Sequence, residues 1–262
     1  MTTQIPEEIK ILSIGNSFSV DTMEFTAAMA LSMGIKKVKL GNLYIGGCSV
    51  KRHYTNAKED LPAYKYYTND GSGWKVIEDH KMSDAIKSEK WDWISIQHGT
   101  GDGSRYTSEE SYSDLPSLIE YVKEIADSGT RIAFNMAWVG EAYKEHHEIA
   151  SYNGDMMRMY ENLTSLTERL IAPMKGIDAV IPTGTAVQNA RAMCPDMDLT
   201  RDGFHLSWDF GRYIGGMSFL KMLLKCDLNG IVWIPDGVND KLRDVAVGAV
   251  NKAFDDPFKV TY

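Results

Sequence analysis

The sequence predicts an α/β domain built on a parallel sheet with helices over both faces. Short apolar runs of strand length alternate with amphipathic stretches of helix length along the chain. Small polar clusters, GNSFS, GGCS and QHGTGDG, follow the ends of the apolar runs, where the chemistry of such sheets sits. No low-complexity linker, repeat or shift in composition interrupts the 262 residues, so one domain over residues 1–262 is expected.

Lys10–Ile14 (KILSI) is the first strand, broken by the glycine that follows it. Asp21–Met33 has good helix formers with apolar residues on one face, and Gly34 is a natural stop. Val38–Ile45 is the second strand and ends at Gly46-Gly47. Tyr64–Tyr67 and Trp74–Glu78 flank the turn-rich TNDGSG and predict a β-hairpin, over residues 64–80, as an insertion outside the main sheet. Trp91–Ile96 is the third core strand, Pro116–Asp127 a helix closed by Gly129, and Arg131–Ala137 the fourth strand. Met156–Ile171 predicts a long helix and Ala179–Ile181 a short fifth strand. Helices over Ser207–Leu224 and Lys241–Phe254 finish the chain.

Composition narrows the partners. A formal net charge of −8 argues against nucleic acid or an anionic membrane surface. No apolar run approaches the about 20 residues needed to span a bilayer. The start, MTTQIPEEIK, lacks the basic and apolar regions of a secretory signal. The expected compartment is therefore the cytoplasm, or outside the cell if a leader has been removed. Cys48, Cys194 and Cys226 are few, odd in number and far apart, which suits neither a disulfide framework nor a zinc site. G-x-G-x-x-G and G-K-[ST] are missing, so nucleotide binding has no support.

Ser17 follows the first strand and precedes a helix start, where unpaired N–H groups could meet an oxyanion. A nucleophilic serine needs a base in reach. The plainer alternative is that Asn16, Ser17 or Ser19 caps the helix, with Asp21 as a competitor. The candidate base lies in DLTRDGFHLS, where Asp202 and His205 are spaced so that a carboxylate can hold the imidazole through Nδ1–H. Gly46-Gly47 allow backbone to approach a substrate, and Gln97 can present a side-chain amide N–H. His98 is a candidate pocket residue. A solvated face suits His146-His147 better than a metal, and a turn role suits Asp102. Trp91, Trp93, Trp138, Trp208 and Trp233 suit core or pocket wall. Arg191, Arg201 and Arg212 suit surface ion pairs better than an acidic-sugar site.

Together KILSIGNSFS, GNLYIGGCSVKRHY, WDWISIQHG, DAVIPTGTAVQNAR and LTRDGFHLSWDFGRYIGG resemble the SGNH (GDSL-like) hydrolase superfamily, and more closely its bacterial branch catalogued as a domain of unknown function. The resemblance implies a flavodoxin-like three-layer α/β/α sandwich, here with a five-stranded parallel sheet plus the hairpin, and serine-based ester hydrolysis with no cofactor and no metal. Ser17 matches the nucleophile, with GNS for the commoner GDS, and Asp202 and His205 match the final D-x-x-H. Gly47, or else Gly46, matches the oxyanion glycine. The usual G-x-N-D of the third block is missing; Gln97, or else His98, takes the place of the third donor. Asn16, Gly46 and His98 are the expected substrate contacts.

The implied partner is a small-molecule or glycan ester, with a carbohydrate acetyl ester as the expected substrate. A non-catalytic carbohydrate-binding protein on the same scaffold is the alternative, favoured by the missing G-x-N-D, the hairpin and the tryptophans. Lipase or thioesterase activity would need an apolar acyl channel.

Overall fold

The computed structural model describes residues 5–97, 106–141, 147–225 and 227–262. His98, Asp102, His146 and Cys226 lie outside them. Strand β1 (Glu8–Gly15) is central. It pairs in parallel with β2 (Lys37–Tyr44) on one side and β5 (Trp93–Gln97) on the other. β6 (Arg131–Asn135) and β7 (Ala179–Ile181) extend the parallel part beyond β5. The order reverses at β1, because the chain adds β2 to its left before returning to add β5 on its right. Such switch points open a crevice at the carboxyl ends of the strands.

The sheet has seven strands, not five. The hairpin of β3 (Tyr64–Asn69) and β4 (Trp74–His80) forms as expected, but it is no separate insertion: β3 pairs antiparallel with β2 and continues the sheet, giving the order β4-β3-β2-β1-β5-β6-β7. The physical reason is the edge of β2, whose free backbone groups β3 satisfies while Tyr64 and Tyr66 bury their rings.

Between the strands run α1 (Ser17–Met23), α2 (Thr26–Ser32), α3 (Val50–Lys58), α4 (Met82–Lys87), α5 (Leu115–Ile125), α6 (His147–Ala150), α7 (Met156–Leu166), α8 (Thr183–Met193), α9 (Phe210–Leu224) and α10 (Asp240–Asp255). The single helix expected over Asp21–Met33 is two. The chain turns at Glu24–Phe25, where the Trp74 indole N–H takes the Glu24 carbonyl at 3.4 Å. The helix from Met156 ends in a π-helical turn over Thr167–Ile171, and α9 begins at Phe210, after a loop that runs past Ser207. α3, α4, α6 and α8 were not expected; the buried face of α3 mixes His53 and Asn56 with Val50 and Ala57, so no apolar stripe marks it.

The alternation of β1 divides the core. Ile9 and Ile11 face a cluster with Val38, Leu40, Phe18, Met29 and residues of α8, α9 and α10. Leu12 and Ile14 face the opposite cluster, with Leu43, Ile94, Ile96, Phe134 and residues of α4 and α5. On the α1 side the carboxyl halves of the strands turn polar while staying buried: Ser13, Asn42, Ser95, Gln97 and Asn135. Buried polar groups demand partners, and Ser13 finds Ser95 at 2.8 Å while Thr183 donates to Asn135 at 2.7 Å. No helix among the described residues is long and apolar enough to cross a membrane.

Candidate active site

The turn after β1 is organised by Asn16. Its side-chain oxygen Oδ1 accepts from the Phe18 N–H at 3.0 Å and so caps α1. The same oxygen accepts from Gln97 Nε2 at 2.7 Å, and Asn16 Nδ2 donates to the Cys48 carbonyl at 3.3 Å. One buried side chain thus ties the carboxyl ends of β1 and β5 to the turn after β2. Below it, Ser19 Oγ lies 2.8 Å from Asn42 Oδ1 and 2.7 Å from the Asn16 backbone carbonyl. Asn16 is fully buried and braces the turn through these bonds. Gln97, only 2% exposed, spends an amide hydrogen on Asn16, so the geometry makes it a brace for the turn.

With Asn16 as the cap, Ser17 is left half-buried, its hydroxyl 2.8 Å from His205 Nε2. His205 Nδ1 lies 2.6 Å from Asp202 Oδ2. An ionised carboxylate only accepts, so Nδ1 carries the proton and Nε2 is the acceptor for the Ser17 hydroxyl. Asp202 Oδ1 accepts the backbone N–H groups of Phe204 at 3.0 Å and His205 at 2.7 Å. Partial burial pulls the Asp202 carboxyl up, but the bonds from the His205 ring and the two N–H groups outweigh it and hold it below the usual carboxylate value.

The turn after β2 lies against this centre, since the Ile45 N–H donates to the Gly15 carbonyl at 3.3 Å. Gly46 is exposed and Gly47 half-buried. Gly47 has φ +58, a left-handed conformation that glycine adopts without strain. Among the described residues, neither the Ser17 nor the Gly47 backbone N–H has a protein acceptor.

The loop carrying Asp202 and His205 is held from two sides. Glu141 N donates to the Gly203 carbonyl at 2.8 Å and the Trp138 indole to the Phe204 carbonyl at 2.6 Å. On the other side, Asp21 accepts from Arg201, Arg212 and the Leu206 N–H. Asp21 is thus no helix cap. Arg201 and Arg212 are ion-paired, but to this fully buried carboxylate and not at the surface as expected. Arg191 is likewise buried, paired with Glu141 at 2.9 Å. Sequence reasoning missed the roles of Asp21 and Glu141; acids separated in sequence from their partners leave no spacing to read.

Trp91, Trp93 and Trp138 are core residues, whereas Trp208 is 59% exposed, with the guanidinium carbons of Arg201 and Arg212 4.2 and 4.4 Å from its ring centroid. Among the described residues no group of three or more His, Cys, Asp or Glu side chains converges to hold a metal ion.

The model of the family DUF4886, a domain of unknown function, matches residues 10–253, and the chain belongs to that family. The crystal structure of a DUF4886 family protein from Bacteroides uniformis superimposes over 97% of both chains with a TM-score of 0.90 at 31% identity. An acetyl xylan esterase from Geobacillus stearothermophilus aligns over 83% of this chain and 94% of its own, at 15% identity and a TM-score of 0.49, too distant to speak for activity. No curated protein matches the sequence.

Proposed function

We propose that the chain is a serine-dependent ester hydrolase. The observation that carries the reading is the continuous path from Ser17 Oγ through the His205 ring to Asp202, at 2.8 and 2.6 Å. His205 Nε2 takes the Ser17 proton as the oxygen attacks an ester carbonyl, and Asp202 stabilises the imidazolium that forms. The tetrahedral oxyanion is met by the uncommitted N–H groups of Ser17 and Gly47. Gln97 serves that hole through Asn16, which sets the turn on which Ser17 sits. As the intermediate collapses, the imidazolium returns its proton to the leaving alcohol. His205 then takes a proton from a water molecule that attacks the acyl-serine, and returns it to Ser17 Oγ as the acyl–oxygen bond breaks and the acid leaves.

A carbohydrate acetyl ester is the substrate class we favour. Trp208, three residues after His205, keeps 59% of its surface exposed although Arg201 and Arg212 pack on its ring, and that exposed part suits a sugar ring. Arg201 and Arg212 are committed to Asp21, which favours a neutral sugar over an acidic one.

The test is labelling by a fluorophosphonate, read by intact mass, beside turnover of p-nitrophenyl acetate. Labelling and turnover that vanish in Ser17→Ala and His205→Ala support the reading. A folded wild type that neither labels nor turns over refutes it and leaves sugar binding without catalysis as the better account.

A further inference from the structure

We propose that Asp21 is a positioning residue that fixes the base-bearing loop to the nucleophile's own helix. The proposal rests on the reading of Ser17 as nucleophile and adds a residue to that site.

Asp21 lies one turn after Ser17 on α1 and is fully buried. Its carboxylate accepts Arg201 Nη1 at 2.9 and 3.1 Å, Arg212 Nε at 2.9 Å and the Leu206 N–H at 3.0 Å. Arg201 and Leu206 are the residues that bracket the segment Asp202–His205. The two brackets are also joined to one another. Arg201 Nη1 donates to the Leu206 carbonyl, the Arg201 N–H donates to the His205 carbonyl at 2.9 Å, and Thr200 and Leu206 form an isolated antiparallel bridge. The loop is therefore a closed ring, and Asp21 grips its neck.

The consequence is geometric. Ser17 and Asp21 share a rigid turn of helix, and His205 and Leu206 are adjacent, so the Asp21–Leu206 bond measures the base against the nucleophile. A buried ion pair is a poor source of stability, because desolvating the charges offsets most of their attraction. It is a good source of registration, since a misplaced loop would strip the buried Asp21 Oδ2 of its two donors, Arg201 and the Leu206 N–H, and leave Arg212 on Oδ1 alone. A misplacement of about 1 Å in a reacting pair can cost on the order of 100-fold in rate. Arg212, also paired with Glu24 at 3.8 Å, balances the charge but touches no backbone of the loop in these bonds.

The experiment compares wild type, Asp21→Asn, Arg201→Gln and, as a remote destabilised control, His53→Gln. For p-nitrophenyl acetate, Asp21→Asn and Arg201→Gln should lower kcat by about 100-fold with KM within about twofold, and slow fluorophosphonate labelling in step. His53→Gln should keep wild-type kcat. A folded Asp21→Asn with wild-type kcat, or a kcat loss matched by His53→Gln, overturns the proposal, as does loss of fold in both loop-clamp variants. Should the wild type itself prove inactive, the hydrolase reading fails separately. The ¹⁵N shift of His205 Nε2 still decides the clamp: Ser17→Ala should move it in the wild type and leave it unmoved in the Asp21→Asn background. A Ser17-dependent shift that persists in Asp21→Asn overturns the clamp on its own.

Discussion

Ser17 Oγ and His205 Nε2 are separated by 188 positions in the chain and by 2.8 Å in space. The contact needs β1 to deliver Ser17 at the centre of the sheet and the loop before α9 to fold back over α1. It is only productive with the His205 tautomer that Asp202 selects. Replacing Asp202 by Asn preserves shape while letting the amide pair with the wrong tautomer. We expect Asp202→Asn to fold normally and to lose about 10³–10⁴-fold in kcat for p-nitrophenyl acetate. Steady-state kinetics with circular dichroism checks both halves; a loss below tenfold would remove Asp202 from the mechanism.

A second prediction concerns pH and lies away from the site. His53, on α3, is fully buried with Nδ1 3.0 Å from the Tyr64 hydroxyl, and burial, aided by Arg52, lowers its pKa to about 3. The unfolded chain takes up a proton near the ordinary value of about 6.5. Between those values the unfolded state binds more protons, so this contribution to stability is present in full above about pH 6.5 and is lost as pH falls toward 3. At pH 5 the loss is about 2 kcal/mol relative to neutral pH. Urea titrations at pH 7.5 and 5.0 should show that loss in the wild type and a smaller one in His53→Gln. Equal losses in both would assign the acid sensitivity to other groups, such as His80, whose partial burial also lowers its pKa.

The five parallel strands were legible because each is a short apolar run followed by a small or polar cluster, as in KILSI before GNSFS and WDWISI before QHGTGDG. The partner of β3 was not, since a hairpin's sequence specifies its own turn and leaves open which sheet edge it will cover. The residues of the Ser17, Asp202 and His205 cluster stood out by type and place. What surrounds them did not. Ser13, Asn42 and Ser95 are polar residues within otherwise apolar strands, yet all three are buried beneath α1 and bonded to one another or to Ser19. Alternation reports which face a residue takes, not whether that face is wet.

Packing near the loop gives a third prediction. Gly184, in the first turn of α8, sits so close to the segment after β6 that an added Cβ would lie 2.0 Å from the Ala137 carbonyl oxygen. That oxygen belongs to backbone and cannot step aside alone. The next residue, Trp138, holds the Phe204 carbonyl. Gly184→Ala should cost about 3 kcal/mol of stability, at the upper end for overpacking. It should also lower kcat by displacing Trp138, whereas Gly47→Ala meets no atom within 4 Å and carries only the left-handed backbone penalty of about 1–2 kcal/mol. Thermal melts of the two variants should rank in that order.

Asn16 offers the sharpest separation of support from chemistry. Its side-chain oxygen accepts from Phe18 and Gln97 and its nitrogen donates to the Cys48 carbonyl, so no single replacement keeps all of these bonds. Asn16→Ala removes the cap of α1 and strands the buried Gln97 amide, for a combined cost of about 2–4 kcal/mol. Asn16→Asp retains the acceptor for Phe18 and Gln97, and strengthens the cap with charge, but turns the bond to the Cys48 carbonyl into repulsion. If the Asn16–Cys48 bond sets the place of Gly47, Asn16→Asp should remain well folded while kcat falls and KM holds. The change should appear chiefly in stabilisation of the oxyanion, read as weaker inhibition by a boronic acid that forms a tetrahedral adduct on Ser17. An Asn16→Asp variant with unaltered boronate affinity would detach the turn after β2 from the oxyanion site and leave the Ser17 N–H as its one backbone donor.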